Sequence, residues 1–303
     1  MLIHLPIAQV AVDPLILIVI GLVVGFLSGM FGVGGGFLLT PLLIFYGIPP
    51  AVAVSTQANQ ILATSIAGVS AHWREGQVDT RLGALMLMGG LGGSTVGVGV
   101  FSLLKAFGVV DTTIAVLYIV FLGVIGALMA WESIRALRSS SGGDPGRRTR
   151  LRAWMRGLPM KRRFPRSGLY ISILPPIGIG FFVGMLAAIL GVGGGFVLAP
   201  AMVYLLGVPT RVMVGTSLFQ IIFLTAYVTF LQATFNGTVD LVLAGMLMIG
   251  GVVGARYGAL VGRRLKAAQL RLLLALLVLA IAGRLVYELY IQPHPEYRLE
   301  DAR

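Results

Sequence analysis

The chain has no cysteine, which excludes disulfides, thiolate metal sites and cysteine catalysis. Charge is scarce as well. Asp, Glu, Lys and Arg make up 11% of the 303 residues, against about 25% in a soluble domain. There are three histidines: His4 and His294 lie near the ends, and His72 sits beside Trp73 at the end of an apolar segment. No Walker loop, HExxH pair or Ser/His/Asp set occurs. Enzymatic activity, a cofactor and a bound metal are therefore not expected. No Asp or Glu lies deep in an apolar segment, so no proton relay is legible. The first residues lack a basic n-region and a small-residue cleavage site, so the N-terminus is expected to be retained.

Apolar sequence is abundant. Hydrophobic residues make up 57% of the chain and the mean hydropathy is +0.94. Continuous apolar runs cover 14–31, a short 37–47, 51–71, 80–104, 112–137, 171–190, a short 196–207, 212–233, 241–262 and 270–291. Several approach the ~20 residues a bilayer-spanning helix needs. They do not alternate, which rejects a β-barrel. The expected class is an all-α polytopic membrane protein of the cytoplasmic (inner) membrane.

The formal net charge is +12, but its placement argues against nucleic acid. Nine Lys and Arg lie in the connector 139–169, and Arg263, Arg264, Lys266 and Arg271 form a second group. Basic loops stay on the cytoplasmic side. The connector is therefore expected inside and both termini outside, with anionic lipid as a further partner of the basic connector.

The chain repeats itself. Gly32–Pro41 and Gly191–Pro200 share eight of ten residues. Gly76, Val78, Asp79, Gly89, Gly90, Gly93 and Gly97 recur as Gly237, Val239, Asp240, Gly250, Gly251, Gly254 and Gly258. The expected organisation is repeat 1 at 1–138, linker 139–169, repeat 2 at 170–292 and a tail at 293–303. Each short segment covers about half of a ~30 Å hydrocarbon core. With the charge-derived orientation, each is expected in a re-entrant hairpin followed by three transmembrane helices, and the repeats are inverted. A broken helix crossing once would make them parallel; that alternative stays open here. Glycines at i+4 spacing, such as Gly250, Gly254 and Gly258, read as a close helix-packing stripe. Asp79 and Asp240 read as N-caps.

A Gly-Val-Gly-Gly-Gly run interrupts a helix, and unwound backbone within a membrane needs a protein or cavity lining. The next half-helix presents free N–H groups and a positive dipole end, which favour an anion. The candidate substrate residues are Gly34, Gly35, Gly36 and Phe37, with Gly193, Gly194, Gly195 and Phe196 in the second copy. Polar residues cluster in the following helices: Ser55, Thr56, Gln57, Asn59 and Gln60, matched by Thr216, Ser217 and Gln220. Interhelical hydrogen bonding is the competing use of these groups. Arg256 adds positive potential to an anion path or snorkels to the interface. Pro41 and Pro200 are candidate hinges.

Gly32–Pro41, its copy Gly191–Pro200, Val214–Gln220 and Gly254-Ala255-Arg256 together resemble the sulfite exporter TauE/SafE family, also called the TSUP permeases. The resemblance covers nearly the whole chain outside the connector and tails. It implies a secondary transporter that moves a small sulfur-containing anion, such as sulfite or sulfoacetate, by alternating access. A passive anion channel and a non-transporting assembly protein are the alternatives. Copy 1 departs from the family pattern: Ser55-Thr56-Gln57-Ala58-Asn59-Gln60 stands where Gly-Thr-Ser-Leu is common.

Overall fold

The computed structural model describes residues 3–31, 35–138, 159–262 and 267–291. The described chain is mostly helical. A two-stranded hairpin, β1 (Ile3–His4) and β2 (Ala11–Val12), precedes α1 (Pro14–Phe31), α2 (Gly36–Phe45), α3 (Pro50–Arg74), α4 (Thr80–Ala106) and α5 (Val110–Arg138). A second hairpin, β3 (Lys161–Phe164) and β4 (Leu169–Ser172), precedes α6 (Leu174–Leu190) and α7 (Gly195–Pro200). Then follow α8 (Thr210–Leu231), α9 (Leu241–Gly262) and α10 (Ala267–Ile291). The order of elements thus repeats, hairpin included. The expected linker ends in ordered structure, since its last residues form β3 and the turn into β4.

Local chemistry sets the boundaries. Pro50 opens α3, where a missing N–H costs nothing. Pro175 and Pro176 do the same for α6, which therefore starts at Leu174 instead of 171. The aspartate carboxylates of Asp79 and Asp240 cap α4 and α9, accepting from Leu82 N–H and from Val242 and Leu243 N–H, each at 3.1 Å. The copies differ after their prolines. Pro41 lies inside a continuous α2, whereas Pro200 ends α7 and the chain widens into a π-helical turn, Ala201–Leu206. A second π turn, Gln232–Asn236, ends α8.

Among the described residues, Thr80–Ala106, Val212–Asn236 and Leu241–Gly258 are long and apolar enough to cross a membrane unaided; α1, α2 and α6 are shorter apolar helices.

The glycine stripes set the packing. A Cβ at Gly21 would lie 2.6 Å from the Leu247 carbonyl oxygen, and Gly25 and Gly29 press on Gly251 and Ala255. Both numbers rise by four, so α1 and α9 run parallel at backbone contact. Gly89, Gly93 and Gly97 meet Ile177, Phe181 and Met185 in the same way, so α4 runs parallel to α6. Each copy's first helix therefore packs on the other copy's fourth. In contrast, Gly68 faces Leu218 while Gly215 faces His72, so α3 and its counterpart α8 run in opposite directions.

Reciprocal bonds tie the copies together. The Asp240 N–H donates to the Thr56 hydroxyl at 3.0 Å, and the Asp79 N–H donates to the Thr216 hydroxyl at 2.9 Å. The second oxygen of each aspartate holds a hairpin turn. Asp240 Oδ2 accepts from Ile7 N–H at 3.0 Å, and Asp79 Oδ2 accepts from Ser167 N–H at 3.1 Å and its hydroxyl at 2.7 Å. Both aspartates are buried, so these bonds have no competition from water.

The bonds also sort the loops to two ends. At one end the Asp13 N–H meets the Tyr46 hydroxyl, the Ala51 N–H meets Asp111, Lys105 Nζ meets the Asn236 carbonyl, and Asp240 meets Ile7. At the other lie Arg74, Asp79, the basic hairpin β3–β4 and Arg166, which donates to the Val78 carbonyl. The end of α2 thus returns beside the start of α1, and the pair is a helical hairpin.

Candidate functional site

The first half-helix meets the second break in the protein interior. Gly35 and Gly194 precede the half-helices with φ of 64° and 77°, a left-handed conformation that favours glycine. A Cβ at Gly36 would lie 2.9 Å from the Val192 carbonyl of the opposite break, and one at Gly193 would lie 2.8 Å from Ile61 Cγ2. Ile61, on α3, therefore sits between the breaks. The rings of Phe37 and Phe196 stack at 4.4 Å between centroids with an interplanar angle of 18°, and Phe121 meets Phe196 edge-on at 6.2 Å. Both stacked phenylalanines are buried, and Gly195 is buried beside them. Gly34 lies outside the described residues.

The candidate polar residues divide into two sets. One set is bonded within the protein. Thr56 and Thr216 hold the opposite copy's aspartate loop. Ser55 pairs with the Thr238 hydroxyl at 2.7 Å and donates to the Ala51 carbonyl. Ser217 donates to the Met213 carbonyl at 2.7 Å. Asn59 donates to the Thr56 carbonyl at 3.3 Å and is half-buried.

The other set has hydrogen-bonding capacity left over. Both side-chain polar atoms of Gln60 are buried and have no hydrogen-bond partner among the described residues. Gln57 and Gln220 each use the amide nitrogen and leave Oε1 without a partner. All three glutamines are 0% exposed. An unmatched buried amide group costs about 1–3 kcal/mol, which a folded core avoids unless something else meets it.

Arg256 is exposed on α9 and lies outside this buried cluster. Pro41 is buried in α2, and Pro200 is half-buried at the start of the π turn.

Two residues at the site were not among the sequence candidates. Thr40, in α2, is fully buried and its hydroxyl has no hydrogen-bond partner among the described residues. Tyr118, in α5, is fully buried and donates to the Leu190 carbonyl at 2.5 Å, where α6 runs into the second break. The sequence does carry a signal for Thr40: it is the one polar mismatch in the duplicated decapeptide, where copy 2 has Ala199. Tyr118 has no such signal, because one aromatic residue in an apolar helix reads as core.

Apolar helices packed through glycine stripes, with buried polar groups around two interrupted helices, define an integral membrane protein with a buried polar cluster. The chain belongs to the sulfite exporter TauE/SafE family, whose family model matches residues 17–285. It is 30% identical over 273 residues to the probable membrane transporter protein YjnA of Bacillus subtilis, covering 89% of this chain and 98% of that one. The probable membrane transporter protein YunE of the same organism is 27% identical over 90% of this chain and 97% of its own. A shorter match, 43% identical over 53 residues, is to the sulfite exporter TauE/SafE family protein 1 of Arabidopsis thaliana; it covers 18% of this chain and 12% of that protein. No solved structure matches the chain.

Proposed function

We propose that the protein is a secondary transporter that exports a small sulfur-containing anion, sulfite or an organosulfonate, across the cytoplasmic membrane by alternating access. The observation that carries this reading is the meeting of two glycine breaks at Ile61, beside buried glutamines whose hydrogen bonds the protein leaves unmet. Unwound backbone N–H groups and the Gln60 amide together offer an oxyanion donors without a fixed counter-charge. The name of the Arabidopsis relative supports sulfite as a member of the substrate class.

Inverted repeats are part of the proposal. They are supported by the opposite directions of α3 and α8 and by the exchange of parallel partners, α1 with α9 and α4 with α6. The end that carries Arg74 and the β3–β4 hairpin is the cytoplasmic one, as its basic residues favour. The α1–α2 and α6–α7 pairs are then re-entrant from opposite faces. Stacked Phe37 and Phe196 fill the centre between the breaks, which favours a gated carrier over an open channel.

Flux from reconstituted vesicles tests the reading. Saturable efflux of sulfite or a sulfonate, accelerated by the same anion on the opposite side, is expected; lactate serves as the comparator. Flux linear in concentration and without exchange would place the protein among passive channels. Absence of flux for every sulfur anion would remove the substrate assignment. For orientation, the cysteine-free background allows single cysteines at Val109 and Met160, both exposed and at opposite ends. Impermeant reagent applied outside should label Val109→Cys and spare Met160→Cys.

A further inference from the structure

We propose that Thr40, Gln57 and Tyr118 form a corner of the site that reads a hydrogen-bond donor on the ligand itself, so the transported anion carries its own O–H or N–H. This rests on the transporter reading above and narrows its substrate.

The argument begins with the Leu190 carbonyl. It accepts the Tyr118 hydroxyl at 2.5 Å and the Gln57 amide nitrogen at 3.3 Å; that nitrogen is also 3.5 Å from the Tyr118 oxygen. The amide is thereby oriented. Turning it over would set Gln57 Oε1 against a carbonyl oxygen and lose two donor contacts. Gln57 Oε1 is therefore an acceptor of fixed sense, fully buried and without a donor.

The tyrosine cannot supply that donor, because its one proton is already on Leu190. Thr40 stands within reach of the Tyr118 hydroxyl, yet its own hydroxyl meets no partner in hydrogen-bond geometry. One turn along α3, Gln60 is likewise unmatched. No described Lys or Arg makes a hydrogen bond to any of these four side chains.

The fixed acceptor Gln57 Oε1, with no described cation bonded at the corner, disfavours a dianion, whose oxygens would face it without a proton between them. It suits a monoanion that holds a proton. For inorganic ligand this is hydrogen sulfite in preference to sulfite. For sulfonates it is a tail bearing an uncharged donor such as hydroxyl, in preference to a plain alkyl tail or a second ionised group such as that of sulfoacetate. Copy 2 lacks the corner: Ala199 and Ser217 stand at the positions of Thr40 and Gln57, Ser217 is bonded within its own helix, and α10 has no tyrosine between Ala267 and Val286.

The test compares hydroxyethanesulfonate with propanesulfonate, which match in size and differ in the donor. Calorimetric affinities on the purified full chain should favour the hydroxyl ligand by about tenfold or more. Thr40→Val and Gln57→Leu should each bring the ratio to less than about twofold. Thr40→Val removes a hydroxyl with no partner in hydrogen-bond geometry among the described residues, so it should fold nearly as well as the wild type, and it carries the test if Gln57→Leu accumulates poorly. Equal wild-type affinities would overturn the donor-reading corner and leave the transporter reading intact. A full ratio retained in Thr40→Val would overturn it as well. Binding of neither sulfonate, with none of sulfite, would remove both.

Discussion

Copy 1 sets Thr40, Gln57 and Gln60 around the breaks, and copy 2 sets Ala199, Ser217 and Gln220 at the same positions. Among the described residues, four buried polar atoms without partners belong to the first group and one to the second. In their capping and helix-packing contacts the copies agree closely. Asp79 and Asp240 cap equivalent helices, hold equivalent hairpins and rest on Thr216 and Thr56. Both glycine stripes meet a parallel helix of the other copy. The symmetric residues are those that hold the fold, because each contact made by one copy must be returned by the other. The asymmetric ones carry unmet hydrogen bonds.

The largest expected effect falls on the symmetric stripes. A Cβ at Gly93 would lie 2.6 Å from the Phe181 carbonyl carbon, and one at Gly254 would lie 2.7 Å from the Phe26 nitrogen. Gly93→Val and Gly254→Val should each destabilise by about 3 kcal/mol or more and nearly abolish folded protein. Gly99→Ala, with open space around it, should be near neutral. Thermal unfolding in detergent compares them. A well-folded valine variant on one side only would break the symmetry.

Next come the aspartates. Asp79→Ala and Asp240→Ala each remove a helix cap and leave buried donors unpaired, a loss of about 2–4 kcal/mol. The two losses should agree to within about 1 kcal/mol, since the bonds match. The same unfolding measurement would show a larger gap if one hairpin were dispensable.

The glutamines should separate stability from transport. Gln60→Met removes an amide with no partner, so the protein should gain about 1 kcal/mol while sulfite flux falls. Gln220→Met loses a bond to the Met86 carbonyl at 3.3 Å, so its stability should stay near that of the wild type. A destabilised Gln60→Met with normal flux would show that this glutamine only packs helices.

The most local comparison is at Gly35→Ala. The left-handed backbone costs about 1 kcal/mol for a side chain, and the new methyl group would lie 2.7 Å from Ser28 Cβ. Flux should fall more than stability does. Equal flux would remove that break from the site.

Much of this was legible in the chain. Long apolar runs end where proline, aspartate or glycine forces an end, so most helices lie within a few residues of their expected positions; the exceptions are the start of α6 and the π turn after Pro200. The duplicated decapeptide marked the breaks, and the i+4 glycines marked helix packing. Of the polar cluster, the sequence identified the residue types but not their division. Thr56 and Gln60 are four residues apart on one helix, yet one is bonded to the opposite copy and the other has no partner. Tyr118 could not be found from spacing, because its role depends on a carbonyl 72 residues away.

By itself the sequence determined the number and nature of the segments, the duplication and the placement of charge, because these depend on composition and local backbone preference. Only the tertiary structure decided which copy packs on which, which buried hydroxyls serve the fold, and which amides keep polar atoms without a partner among the described residues. Those outcomes depend on where carbonyls and side chains from distant segments converge, and no local pattern encodes that convergence.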